Sequence, residues 1–252
     1  MSRELPRTSL TSSRLVRLLT ELTDSPATES RQTFAERLSQ WLQLNDAIAL
    51  SGIVNARLTP AAAPDTAPQA LAELQASLAR LRQRQAEAQN PEGVFKPGQG
   101  RVKLPTLAAG TVSEGESPFA FFHRYYLAQQ RSMEAAIAPL RQQTRESVMR
   151  HAPALRQVAA LDALLEKTLA ERERQLLAAI PRLLEKRFTQ LCQPPAADPA
   201  AAATATDTAA AEAALAAFIR EMQQVLLAEL EVRLEPVQGL IDAFGNEVKQ
   251  TP

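Results

Sequence analysis

Apolar residues recur three and four positions apart through most of this chain, and almost nowhere do they alternate. That spacing puts side chains on one face of an α-helix, whereas a half-buried strand needs a period of two. The first stripe is Leu15, Leu18, Leu19 and Leu22, opened by Ser12 or Ser13 as a cap and broken at Asp24-Ser25-Pro26. A second carries Phe34, Leu38, Trp41, Leu42, Ile48 and Leu50, with Ser25 as its cap and Pro26 in its first turn. A third holds Leu71, Leu74, Leu78 and Leu81, and Thr66 with Gln69 reads as the capping box that starts it. Asn90-Pro91 ends it.

Beyond residue 117 the stripes lengthen. Ser117-Pro118 opens a helix with Phe119, Phe122, Tyr126, Met133, Ile137, Leu140 and Val148 on its apolar face. Pro139 is expected to kink it, because a proline ring removes a backbone donor and crowds the preceding turn. The next helix is predicted from about residue 153 to 191, with Leu155, Val158, Leu165, Leu169, Leu176, Ile180 and Leu183 inward and Pro181 as its kink. The last runs over 207–244 with Leu215, Ile219, Met222, Leu226, Leu230, Leu234, Val237, Ile241 and Phe244, and Pro236 should bend it. The fold class predicted is therefore all-α, a bundle of about five to six helices, several kinked by proline.

Two stretches lack any stripe. Residues 90–117 hold five of the eight glycines and three prolines, a long Gly/Pro loop. Residues 193–206 are a Pro/Ala/Thr linker. They divide the chain into an N-terminal helical region (1–58), a central region (66–192) and a C-terminal helix (207–245) expected to pack on the central helices.

Composition narrows the function classes. Aromatics are only 4 % of the chain, so the core is built from Leu and Ala and favours close helix packing over a wide ligand cavity. Lys and Arg total 28, matched by 28 Asp and Glu, so the global basic excess of a nucleic-acid binder is missing. The charge is nevertheless uneven. Residues 119–192 contain twelve basic and seven acidic side chains, and residues 207–252 three basic and eight acidic. These segments either neutralise each other within the fold or one of them meets a charged partner. The single cysteine, Cys192, rules out an intrachain disulfide and fits a reducing cytoplasm. No apolar run has the length of a signal peptide core or a membrane span, so a cytoplasmic chain is expected.

The search for catalytic chemistry finds no constellation. His123 and His151 stand 28 residues apart with no further ligand at metal spacing. Cys192 has no local histidine to activate it. The glycines at 93, 98 and 100 superficially suggest a phosphate loop, but Gln99 stands where the lysine belongs and no Ser or Thr follows. No enzyme, cofactor or metal site is predicted. The candidate interaction residues are the aromatic cluster Phe119, Phe121, Phe122, Arg124, Tyr125 and Tyr126, and in the loop Lys96, Arg101 and Lys103. Five aromatics in eight helical positions span more than one face, so some must meet another helix, the loop or a partner.

The segments PRTS and RLVRLLTELTDSPATESRQTFAERLSQWLQLNDAIALS near the N-terminus resemble an uncharacterised proteobacterial family, classed only as a domain of unknown function. So do YYLAQQRSMEAAIAPLR and LDALLEKTLAERERQLLAAIPRLLEKRF. The resemblance covers most of the chain apart from the loop and the linker, and brings no functional residue with it. It implies a cytosolic accessory to an envelope complex, since relatives are encoded beside membrane proteins similar to proton-channel motor subunits and peptidoglycan-binding domains. The expected function is thus a non-enzymatic helical adaptor or assembly protein with a protein partner, such as a membrane-complex subunit. Homo-oligomerisation is compatible with it. The alternative is a nucleic-acid-associated protein using Arg124, Arg131, Arg141, Arg145 and Arg150.

Overall fold

A computed structural model describes residues 13–23, 34–56, 66–89, 117–192 and 205–250. Among them are eight α-helices, one short 3₁₀ turn and no strand. In chain order the helices are α1 (Arg14–Thr23), α2 (Phe34–Trp41), α3 (Leu44–Val54), α4 (Ala67–Ala88), α5 (Ala120–His151), α6 (Arg156–Leu177), α7 (Ile180–Cys192) and α8 (Ala205–Gln250). The 3₁₀ turn, Pro153–Leu155, joins α5 to α6. The all-α prediction holds, with more helices than the five to six expected.

The two extra helices come from breaks that the apolar spacing hides. The stripe read over residues 34–50 is interrupted at Leu42 and Gln43. The Gln43 backbone N–H donates to the Asp46 carboxylate at 3.1 Å, a local bond that starts α3 afresh. The helix read over 153–191 is likewise two. Its chain leaves helical geometry at Ala178 and Ala179, and Pro181 falls in the first turn of α7, where its missing N–H costs nothing. Pro181 therefore sits at a helix start and is no kink inside one. Pro139 and Pro236, in contrast, lie inside the uninterrupted α5 and α8.

The inward face of α6 is corrected as well. Val158 is 41 % and Leu176 55 % exposed, and only Ala159 and Leu177 of that helix are buried. Val158, Leu165, Leu169 and Leu176 share one face of α6, and that face is covered only in its middle, where Leu165 and Leu169 are half-buried. The start of α4 also differs from expectation. The Thr66 hydroxyl lies 3.3 Å from His151 Nδ1, and the Gln69 amide donates to Glu73, so the Thr66–Gln69 capping box gives way to these bonds. The proposed cap at Ser25 and Pro26, the loop 90–116 and the linker 193–204 lie outside the described residues.

The chain forms two compact units. The first comprises Met1–Ser30, Glu87–Gln130 and Ala178–Val232, and the second Arg31–Ala86, Arg131–Leu177 and Arg233–Pro252. In the first, α7 offers Ile180, Leu184 and Phe188 and α8 offers Phe218, Met222, Val225 and Leu226, all buried with the aromatic start of α5. In the second, Leu74 and Leu78 of α4, Met133, Ile137 and Leu140 of α5, and Leu234, Val237, Ile241 and Phe244 of α8 make the core. There α3 packs on α6, and the Gln157 amide donates to the carbonyls of Ile53, Val54 and Ala56 at 2.7, 2.9 and 3.1 Å, closing the C-terminal end of α3.

Candidate interaction site

The aromatic cluster is mostly core. Phe119, Phe122, Tyr125 and Tyr126 are buried, Phe121 is half-buried, and Arg124 is exposed. Positions 119, 122 and 126 share a helix face, and in the first unit α7 and α8 supply rings to meet it. Phe122 lies 5.6 Å from Phe188 and 5.2 Å from Phe218, ring centre to ring centre, and Phe188 lies 5.1 Å from Phe218. The contacts of Phe119, Phe122 and Phe188 to Phe218 are edge-on, the arrangement that aligns ring edges with ring faces. Of the predicted cluster, the surface keeps Phe121 and Arg124. Lys96, Arg101 and Lys103 lie outside the described residues.

Beside these rings Glu229 is fully buried. Its carboxylate accepts a hydrogen bond from the Tyr126 hydroxyl at 2.7 Å and from the Gln130 amide at 3.0 and 3.1 Å. Such bonds offset the cost of removing a carboxylate from water and fix one register of α8 against α5 in this unit. Burial pushes the neighbouring Tyr125 hydroxyl up to about 12.

The arginines proposed to meet nucleic acid divide. Arg141 Nε and Nη2 donate to Asp162 at 2.9 and 2.6 Å, and Arg145 Nη1 donates to Asp162 at 2.9 Å and to Glu166 at 2.6 Å. Burial works against the Arg145 charge, but the hydrogen bonds and charges of Asp162 and Glu166 outweigh it and raise its pKa above the usual value. These two arginines are neutralised inside the second unit. In the first unit Arg187 holds Glu221 in a two-point pair at 2.8 Å. Arg124, Arg131 and Arg150 are exposed.

Among the described residues no three His, Cys, Asp or Glu side chains converge as metal ligands, and no helix is long and apolar enough to cross a membrane. Cys192 is half-buried, and its thiol is raised above the ordinary range by burial and then by the Glu221 charge. Less thiolate is present at neutral pH as a result. We expect Cys192 in the native protein to react with a disulfide reagent at pH 7 more slowly than an unperturbed thiol, and Glu221→Gln to accelerate it. A native rate equal to that of glutathione contradicts this reading.

One concavity lined by described residues belongs to the first unit. It is a cleft of about 590 Å³ between α1 and α7. From α1 come Leu22 and, as one stripe at i, i+3, i+4 and i+7, Val16, Leu19, Thr20 and Thr23. From α7 come Leu183, Lys186 and Gln190, a second stripe at i, i+3 and i+7. The interaction residues read from the sequence miss this cleft. Its signal was present in α1, where Leu15, Val16, Leu18, Leu19 and Leu22 make an apolar band wider than one neighbouring helix can cover. Only Leu15 and Leu22 of that band are buried. In the second unit, isolated apolar side chains also reach solvent on α3, with Leu44 77 % and Ile48 63 % exposed.

Fold and surface together define an all-α protein with internally paired charges and an apolar-floored groove between two helices. The chain belongs to the family described as Protein of unknown function (DUF3348), whose model matches residues 1–246. This agrees with the resemblance to an uncharacterised family. No curated protein and no solved structure matches the chain.

Proposed function

We propose that this protein is a non-enzymatic helical adaptor or assembly factor that holds a partner protein, working at the cytosolic side of a bacterial envelope complex. The observation that carries the reading is the open α1–α7 cleft, floored by Val16, Leu19 and Leu183 and containing no convergent acid, base and nucleophile. Apolar surface left open in a soluble fold marks a place for another macromolecule. The exposed Leu44 and Ile48 of α3 support the same reading. The envelope location rests on the family resemblance alone. The nucleic-acid alternative loses Arg141 and Arg145, whose guanidinium groups are held by Asp162 and Glu166.

The test is affinity capture of the full-length protein from its native host after cross-linking in living cells, read by mass spectrometry. A membrane-complex subunit recovered repeatedly at fixed stoichiometry is the expected result. Recovery of nothing beyond the background of an unrelated bait overturns the adaptor reading. Retention on DNA or RNA that falls steeply with salt moves the assignment to the alternative.

A further inference from the structure

We propose that the α1–α7 cleft is the docking groove for an acidic amphipathic helix of a partner protein. The inference rests on the adaptor reading and adds the chemistry of what is bound. The shape argues for a helix. Two stripes, each spanning two helical turns, line the cleft, and a third helix is the element whose ridge fits between two others. Two turns amount to about 10 Å, enough to seat about two turns of a guest.

The floor is more apolar than its composition suggests. Thr20 and Thr23 donate their hydroxyls to the carbonyls of Val16 and Leu19, both at 2.8 Å. Their polar atoms are thereby satisfied within α1, and the methyl groups are left to contact a guest. With Val16, Leu19 and Leu183 these make a surface for leucine-like side chains.

Charge selects the guest. Lys186 lines the cleft, and Arg182, one turn earlier on α7, flanks it by helical phase. Both are exposed, and neither makes an ion pair among the described residues. The other charged groups of these helices are turned away or engaged. Arg14 pairs with Glu231 at 3.3 Å, and Arg187 with Glu221. Glu21 and Glu185 lie more than about 90° round their helices from the centre of each stripe, and Arg17 is likewise off the α1 stripe. The free charge at the groove is therefore basic, and it complements glutamates or aspartates beside the apolar face of the guest.

The experiment uses the full-length protein and two fluorescein-labelled, end-blocked helical peptides of about four turns. Both carry leucines at i, i+3, i+4 and i+7. One has glutamates flanking the leucine face and the other has lysines at the same positions. We expect the acidic peptide to bind at least ten-fold more tightly by fluorescence anisotropy. The double variant Arg182→Glu and Lys186→Glu, which alters only exposed side chains, should reverse that preference. Leu19→Asp should abolish binding of both peptides, with circular dichroism reporting whether the fold survives. Equal affinity for the two peptides, or a preference untouched by the charge reversal, overturns the proposal. So does a dimer in sedimentation equilibrium that the same reversal dissociates, because a second copy then fills the groove. Binding to phosphatidylglycerol vesicles without peptide binding overturns it in favour of a lipid surface. If peptides fail but host capture returns a partner, the groove is wrong and the adaptor reading stands. If host capture alone fails, it is the adaptor reading that falls.

Discussion

Replacing Phe122 with alanine is expected to lower the unfolding free energy by about 3–5 kcal/mol, the usual cost of removing a fully enclosed aromatic ring. Phe122 has no exposed surface and touches Phe119, Phe188 and Phe218 with ring centres 5.2–6.4 Å away, so its loss empties the middle of a four-ring group. Neighbouring rings are stiff and cannot collapse fully into the space, which keeps the cavity penalty high. Phe121→Ala provides the internal comparison. Phe121 is half-buried and meets the group edge-on at Phe122, 5.4 Å away, so its removal should cost less. Urea denaturation followed by circular dichroism gives both values. Equal losses for the two substitutions mean that Phe122 is no keystone of the first unit.

Replacing Asp162 with alanine should cost a similar amount, about 3–5 kcal/mol, because it strips the shared acceptor from two poorly solvated arginines. The Arg141, Arg145 and Asp162 side chains are only 13, 13 and 12 % exposed. Without Asp162, Arg145 keeps Glu166 at 2.6 Å, but Arg141 has only a 3.7 Å approach to the same carboxylate. Two cations then share one anion in a region with little water. Adding Arg141→Ala to Asp162→Ala should recover part of the loss, since it removes the stranded charge. A double variant that is less stable than the single variant by the full cost of Arg141→Ala contradicts the coupling. Salt should change the wild-type stability little through this cluster, because screening acts weakly on buried pairs.

How much of this was legible depends on the length of the helix. In α5 and the residue before it, Phe119, Phe122, Tyr126, Met133, Ile137, Leu140 and Val148, assigned inward by spacing, are all buried. In α8 the same holds from Ile219 to Phe244, with only Leu215 half-buried at the fringe. Long helices repeat their stripe often enough to average out single misplacements. The short ones escape this protection. The break at Gln43 depends on an amide-bearing residue that is a poor cap by composition, and on Asp46 reaching back to it. The break before Pro181 is ambiguous in the sequence, because proline signals both a bend and a helix start. Charge partners were invisible for another reason. Asp162 lies 21 residues from Arg141 and Glu229 lies 103 from Tyr126, and composition sums the charges of a segment without saying which of them meet. The α1–α7 cleft combines two stripes far apart in the chain, and the α7 stripe, with Leu183 beside Lys186 and Gln190, has no apolar signal of its own.

Each compact unit is assembled from three separate stretches of chain, and the closing stretch of both is supplied by α8. During synthesis, neither core can therefore be completed while the ribosome is still translating residues 205–250. At about 5–20 residues per second, the earlier helices wait on the order of ten seconds or longer with Leu, Met and Phe side chains lacking their final neighbours. Cells making this protein thus hold, for that interval, a nascent chain that chaperones can bind and proteases can cut. A stop codon anywhere before α8 leaves both units unfinished, so such a product retains no intact half.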